Sequence, residues 1–126
     1  MNAVLAAAMG GAIGAAGRYL LVGQVSRLTG AEFPYGTLTV NIVGSFCIGV
    51  LAEYIALRWS PSEEIRVFLF AGVLGGFTTF SAFSLDAVLL LERGEFARGF
   101  GYILASVLFC VVGLYAGLRL CRLALS

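Results

Sequence analysis

Four apolar stretches, each long enough to cross a lipid bilayer, restrict the fold of this chain more than any other feature. A membrane-crossing helix needs ~20 mostly apolar residues, and such stretches lie at about 3–26, 35–57, 64–91 and 96–122. The breaks between them read R-L-T-G-A-E-F-P, R-W-S-P-S-E-E and E-R-G-E, each carrying the Pro, Gly, Glu or Arg that loops use. The expected fold is therefore all-α: one integral membrane domain over 1–126 with four transmembrane helices. The first charge is Arg18, so no basic region precedes the first apolar stretch and that stretch is expected to be retained as a span.

Composition narrows the chemistry. Only eight basic and seven acidic residues punctuate a chain that is 60% hydrophobic with mean hydropathy +0.99, far below the quarter that soluble domains spend on charge. Lysine and histidine are both absent, which removes Walker-type phosphate loops, Schiff-base lysines and histidine-based catalytic or metal sites. Cys47, Cys110 and Cys121 lie far apart without a C-x-x-C and read as small apolar-environment residues, not as a disulfide framework or a zinc site. No enzyme activity and no nucleic-acid partner are expected.

Four spans place both termini on one side of the bilayer. That side holds Arg58, Arg66, Arg119 and Arg122; the other holds Arg27, Arg93 and Arg98. Orientation follows a clear basic excess on the cytoplasmic side, and four against three supplies none. Two explanations stand: a short chain with few charges, or dual topology, in which copies insert both ways and pair antiparallel. Pairs of glycines four apart (Gly10 and Gly14, Gly72 and Gly76, Gly113 and Gly117) permit close helix packing, with self-association as one use.

Polar residues recur at one helical interval within the spans. Gly10, Gly14 and Arg18 align in the first, Thr37, Asn41 and Ser45 in the second, and Tyr102, Ser106 and Cys110 in the fourth. Such edges either stitch helices together or face a watery path. Asn, Ser, Thr, Tyr and Arg all donate hydrogen bonds, whereas Glu53, Asp86 and Glu92 are expected toward the span ends. A donor-rich lining suits an anion.

The third span contains G-G-F-T-T-F-S-A-F, residues 75–83. Paired glycines weaken a helix, and adjacent threonines offer hydroxyls that compete for backbone, so an interruption is expected at about 75–79. Non-helical chain at membrane depth is tolerated only in protein or beside a cavity, and broken helices of transport proteins use freed carbonyls to hold cations. Phe80 and Phe83 then share one face of the following helix, where ring edges can meet an anion or simply pack.

These residues resemble a known family. G-G-F-T-T-F-S-A-F resembles the G-G-x-T-T-F-S-T-F signature of the Fluc/CrcB fluoride channels; P-Y-G-T-L-T-V-N-I-V-G-S-F, residues 34–46, is similar to that family's second-helix motif, and G-G-A-I-G-A-A-G-R-Y, residues 10–19, to its first. The likeness runs through the whole chain in order. It implies an antiparallel, dual-topology homodimer in a bacterial inner (plasma) membrane that exports fluoride passively through two pores. It further implies a structural Na+ at the dimer centre, held by the backbone carbonyls of Gly75 and Thr78 from each copy. The fluoride pathway it implies comprises Phe80, Phe83, Asn41, Thr79, Ser81, Tyr102 and Ser106, with Arg18 near a vestibule or anchoring the break. Ala82 and Cys110 depart from the family pattern, which has hydroxyls there.

A small proton-coupled multidrug exporter of four-helix type is the alternative. Such an exporter needs a membrane-embedded carboxylate, and the first span offers Arg18 and no acid. A non-transporting membrane scaffold would account for the glycines and leave the donor stripes without a role.

Overall fold

A computed structural model describes residues 2–126, and every regular element among them is helical. Helix α1 spans Ala3–Thr29 and α2 spans Tyr35–Arg58. The third stretch comprises α3 (Glu63–Val67), a π-helical segment (Phe68–Leu74), α4 (Gly75–Phe77) and α5 (Phe80–Glu92); α6 spans Phe96–Leu125. Four helical stretches, Ala3–Thr29, Tyr35–Arg58, Glu63–Glu92 and Phe96–Leu125, are long and apolar enough to cross a membrane. At 1.5 Å per residue the 27 residues of α1 extend about 40 Å, beyond the ~30 Å hydrocarbon core.

The observed helices end up to three residues past the expected spans, at Thr29, Arg58, Glu92 and Leu125. Asn2 accepts the Leu5 N–H at 2.8 Å at the start of α1, and Gly30, with φ of 84°, closes its end by donating to Ser26 O. Gly94, the other positive-φ residue, turns the chain between α5 and α6.

Packing rests on close backbone approach. A Cβ at Gly10 would strike Phe68 O, and one at Gly14 would strike Val73 O, so α1 lies directly on the π-helical segment. Reciprocally, a Cβ at Gly72 would come within 2.8 Å of Gly10 Cα. Helix α2 meets α6 the same way, through Gly49 against Leu114 O and Gly117 against Phe46 O. These glycines therefore serve contacts inside the chain, which removes them as signs of self-association. Gly113 has room for a methyl, since its nearest neighbour would be Ile42 O at 3.6 Å.

Little side-chain volume is buried. Phe83, Ala87, Leu90 and Tyr102 form a small core against Phe33, Leu38 and Ile103, while Leu20, Leu85, Val111 and Leu123 stay exposed on the outer faces. Apolar surface of this extent is solvated by lipid or by another protein.

Between α4 and α5 the dihedrals leave the helical region. Thr78 has φ −91° and ψ 158°, and Thr79 has φ −152° and ψ 120°. The departure is narrower than the expected 75–79, because Gly75 and Gly76 remain helical. Gly76 serves proximity instead of flexibility: a Cβ there would lie 2.7 Å from Gly11 O.

Candidate functional site

Extended backbone at Thr78 and Thr79 redirects hydrogen bonds that a continuous helix would make, and the Thr79 and Ala82 N–H groups both land on nearby side chains. In an unbroken helix the Thr79 N–H would reach Gly75 O and the Ala82 N–H would reach Thr78 O. Here the Thr79 N–H donates to Asn41 Oδ1 at 2.7 Å, and Asn41 Nδ2 donates to Thr79 O at 3.0 Å. The Ala82 N–H donates to Thr79 Oγ1 at 3.1 Å, an N-cap that starts α5. Upstream, the Thr78 N–H and Oγ1 both donate to Leu74 O at 3.0 Å. Arg18 Nε donates to Gly76 O at 3.0 Å, so α1 supplies the charge that meets the C-terminal carbonyls of α4.

Arg18 thus contacts the chain just before Thr78. Asn41 spends both ends of its amide on Thr79, with one Nδ2 hydrogen left over.

A cavity of about 320 Å³ opens beside this clamp, lined by Asn41, Ser45, Thr78, Thr79, Phe80, Phe83, Ser106 and Cys110, with Ile48, Val107 and Val111 completing its wall. Sequence spacing put Asn41 with Ser45 and Ser106 with Cys110; folding brings the two edges to one cavity. Ser106 is buried, and its Oγ has no protein hydrogen-bond partner. The lining contains no carboxylate. Phe83 is 8% exposed and Phe80 77% exposed, with ring centroids 5.2 Å apart. One ring is thus fixed in the chain while the other projects from it. Ser81 is exposed and sits 3.3 Å from Thr79 Oγ1 through its own hydroxyl.

Tyr102 does not line that cavity. It is fully buried, 5.2 Å from the Phe83 ring, and its hydroxyl donates to Asp86 Oδ2 at 3.3 Å. Asp86 lies in the last quarter of the Glu63–Glu92 stretch, toward its end as expected, one turn beyond Phe83 on α5. Glu53, also expected near a span end, is buried and paired with Arg122 of α6. Helix periodicity could have placed Asp86 on the Phe83 side, three residues on, but nothing in the sequence names Tyr102 as its donor.

A second cavity, of about 350 Å³, lies on the α1 side and is lined by Arg18, Tyr19, Gln24, Arg27, Thr37, Thr79 and Ala82, among others. Thr37 therefore parts company with Asn41 and Ser45, the other members of its stripe. Thr79 borders both cavities. Two guanidinium groups at the second and uncharged donors at the first make the region around Thr79 a place where negative charge is favoured.

Comparison with known proteins agrees with this chemistry. Residues 5–118 match the family described as CrcB-like protein, Camphor Resistance (CrcB). The chain is 50% identical over 126 residues to a fluoride-specific ion channel FluC of Rhodospirillum centenum, covering 100% of both chains. It is 52% identical over 122 residues to a protein of the same name in Rhizobium meliloti, covering 97% of this chain and 98% of that one. With the namesake in Agrobacterium fabrum it shares 56% identity over 115 residues, 91% of this chain and 92% of the relative. A match through all four spans, around a donor-lined cavity at an interrupted helix, identifies the chain as a member of the CrcB family.

Proposed function

We infer that this chain is the subunit of a fluoride-specific ion channel that lets the anion cross a membrane down its gradient. The observation carrying this reading is the cavity at Asn41, Ser45, Thr79 and Ser106, which offers hydrogen-bond donors and no acid. Fluoride is small and strongly hydrated, so a path for it must replace water's hydrogen bonds without trapping the ion. Neutral amide and hydroxyl donors do this more loosely than a fixed positive charge. Phe80 and Phe83 can add ring edges at the same cavity. FluC is the name carried by relatives about half identical over the full chain.

The working unit is an antiparallel homodimer in a bacterial inner membrane. Exposure of Gly75 and of Phe80 next to the Thr78–Thr79 interruption supports it, since a second copy would cover backbone that lipid cannot satisfy. At the dimer axis a structural Na+ fits the donor accounting. Gly75 O and Thr78 O are among the carbonyls that lose their helical donors, the Thr79 N–H going to Asn41 and the Ala82 N–H to Thr79 Oγ1. Two such oxygens from each copy would hold the ion by symmetry. Its positive charge would offset the carbonyl dipoles at the interruption.

The exporter alternative has less support. Glu53 is engaged by Arg122 and Asp86 by Tyr102, and neither acid lines the cavity.

The test is efflux from liposomes loaded with fluoride or chloride, triggered by a proton ionophore. Fluoride leaves and chloride stays; equal release of both would refute the reading. Replacing sodium throughout purification by a cation too large for a carbonyl cage lowers thermal stability, and an unchanged melting curve would remove the ion.

A further inference from the structure

Cys110 has no part in the channel reading, yet it stands in the wall of the cavity that carries it. We propose that Cys110 makes this cavity a binding site for thiophilic metal ions of the mercury(II) class, and that a metal seated there closes the pathway. The closure rests on the channel reading; the metal site does not.

Position and surroundings support the site. Cys110 lies one helical turn after Ser106 on α6, so both side chains occupy the same face. Both line the cavity with Asn41 and Ser45. Ser106 is 6% exposed, and its Oγ has no protein partner. A buried hydroxyl without a protein partner requires a hydrogen-bonding occupant, water or anion. An occupant that reaches Ser106 also reaches the neighbouring thiol. A free thiol beside water can exchange its proton for a soft metal, and sulfur prefers such metals over the hard cations that carboxylates hold.

With mercury(II) chloride the step is a simple exchange. The S–H bond and one Hg–Cl bond break, an S–Hg bond forms, the proton passes to water and chloride departs. The metal with its remaining chloride then occupies space between Asn41 and Ser106. The other free cysteines differ in place: Cys47 is exposed, and neither Cys47 nor Cys121 lines the cavity.

The experiment uses the full chain reconstituted in liposomes, with mercury(II) chloride as the probe. A Cys47→Ser/Cys121→Ser protein, which keeps Cys110, is expected to bind a single mercury per chain by intact mass and to lose its fluoride efflux, with recovery on adding dithiothreitol. Cys110→Ser is expected to conduct and to resist the metal. The proposal falls if the protein keeping Cys110 binds no mercury, if it binds mercury with efflux unchanged, or if Cys110→Ser is blocked equally. Absence of fluoride efflux before any metal is added would sink the channel reading instead, and the mass measurement would still decide the metal site.

Discussion

Replacing Asn41 separates the structural duty it has at Thr79 from the conductive duty proposed for it. Its amide accepts from the Thr79 N–H at 2.7 Å and donates to Thr79 O at 3.0 Å, closing a two-bond clamp across 38 residues of chain. Asn41→Leu is close to isosteric and leaves both backbone groups without a partner. Each unsatisfied buried polar group costs about 1–3 kcal/mol. Thr79 is half-buried beside a cavity, which favours the lower part of that range, so the pair costs about 3 kcal/mol, or roughly 100-fold in the folding equilibrium. Asn41→Asp keeps the acceptor for the Thr79 N–H but sets a carboxylate oxygen against Thr79 O where the donor was, so it too loses stability. Its carboxylate, however, puts a negative charge into a lining that otherwise has none. Both variants therefore lose stability in a denaturant titration in mixed micelles, and aspartate is expected to be the worse of the two in fluoride efflux per folded protein. If Asn41→Leu unfolds with the wild type, the clamp does not hold Thr79; if Asn41→Asp passes fluoride at the wild-type rate, Asn41 does not face the pathway.

Two further perturbations test the supports around this site. A Cβ at Gly44 would collide with Thr78 Cγ2 and lie 3.3 Å from Phe77 Cδ2, so Gly44→Ala is expected to destabilise by about 1–3 kcal/mol through overpacking. Thr78→Ser removes the offending methyl, keeps the hydroxyl that donates to Leu74 O, and should restore most of that loss in a double-mutant cycle; additive losses would refute the contact. Arg122→Leu leaves Glu53, 7% exposed, without its cation. Because Arg122 is itself 49% exposed, the expected loss is smaller than for a fully buried pair. Adding Glu53→Gln should recover it, and a double variant no more stable than Arg122→Leu would show that the pair is unimportant.

Which parts of this arrangement were legible in the sequence follows from which physical quantities are local. Solvation by hydrocarbon acts on each residue separately and sums along the chain, so the four spans appear in composition alone, missing only a few residues at their ends. Adjacent β-branched threonines after paired glycines likewise announce a weak point within a few residues. What glycine is used for is not local: Gly76 is helical and exists to admit Gly11 O, and Gly10 and Gly14 face the π-helical segment, not a second copy. No local preference distinguishes those uses, because lacking a Cβ serves flexibility and proximity alike.

Polar partners are less legible still, for a reason that bears on function. The interval between Thr37, Asn41 and Ser45 shows that they share an edge, and an edge can border two spaces. Here Asn41 and Ser45 line one cavity, while Thr37 borders another. The boundary between the two is Thr79, whose backbone position depends on the Asn41 amide and whose hydroxyl caps α5. One side chain from α2 thus sets where the interrupted segment lies, and through it how Ser106, Phe83 and the diverted carbonyls are disposed. The disposition of the cavity donors and the backbone carbonyls left free are products of the same extended pair, Thr78 and Thr79. A substitution that restored continuous helix there would return the N–H groups of Thr79 and Ala82 to those carbonyls, and would dissolve the cavity lining and the proposed cation cage together.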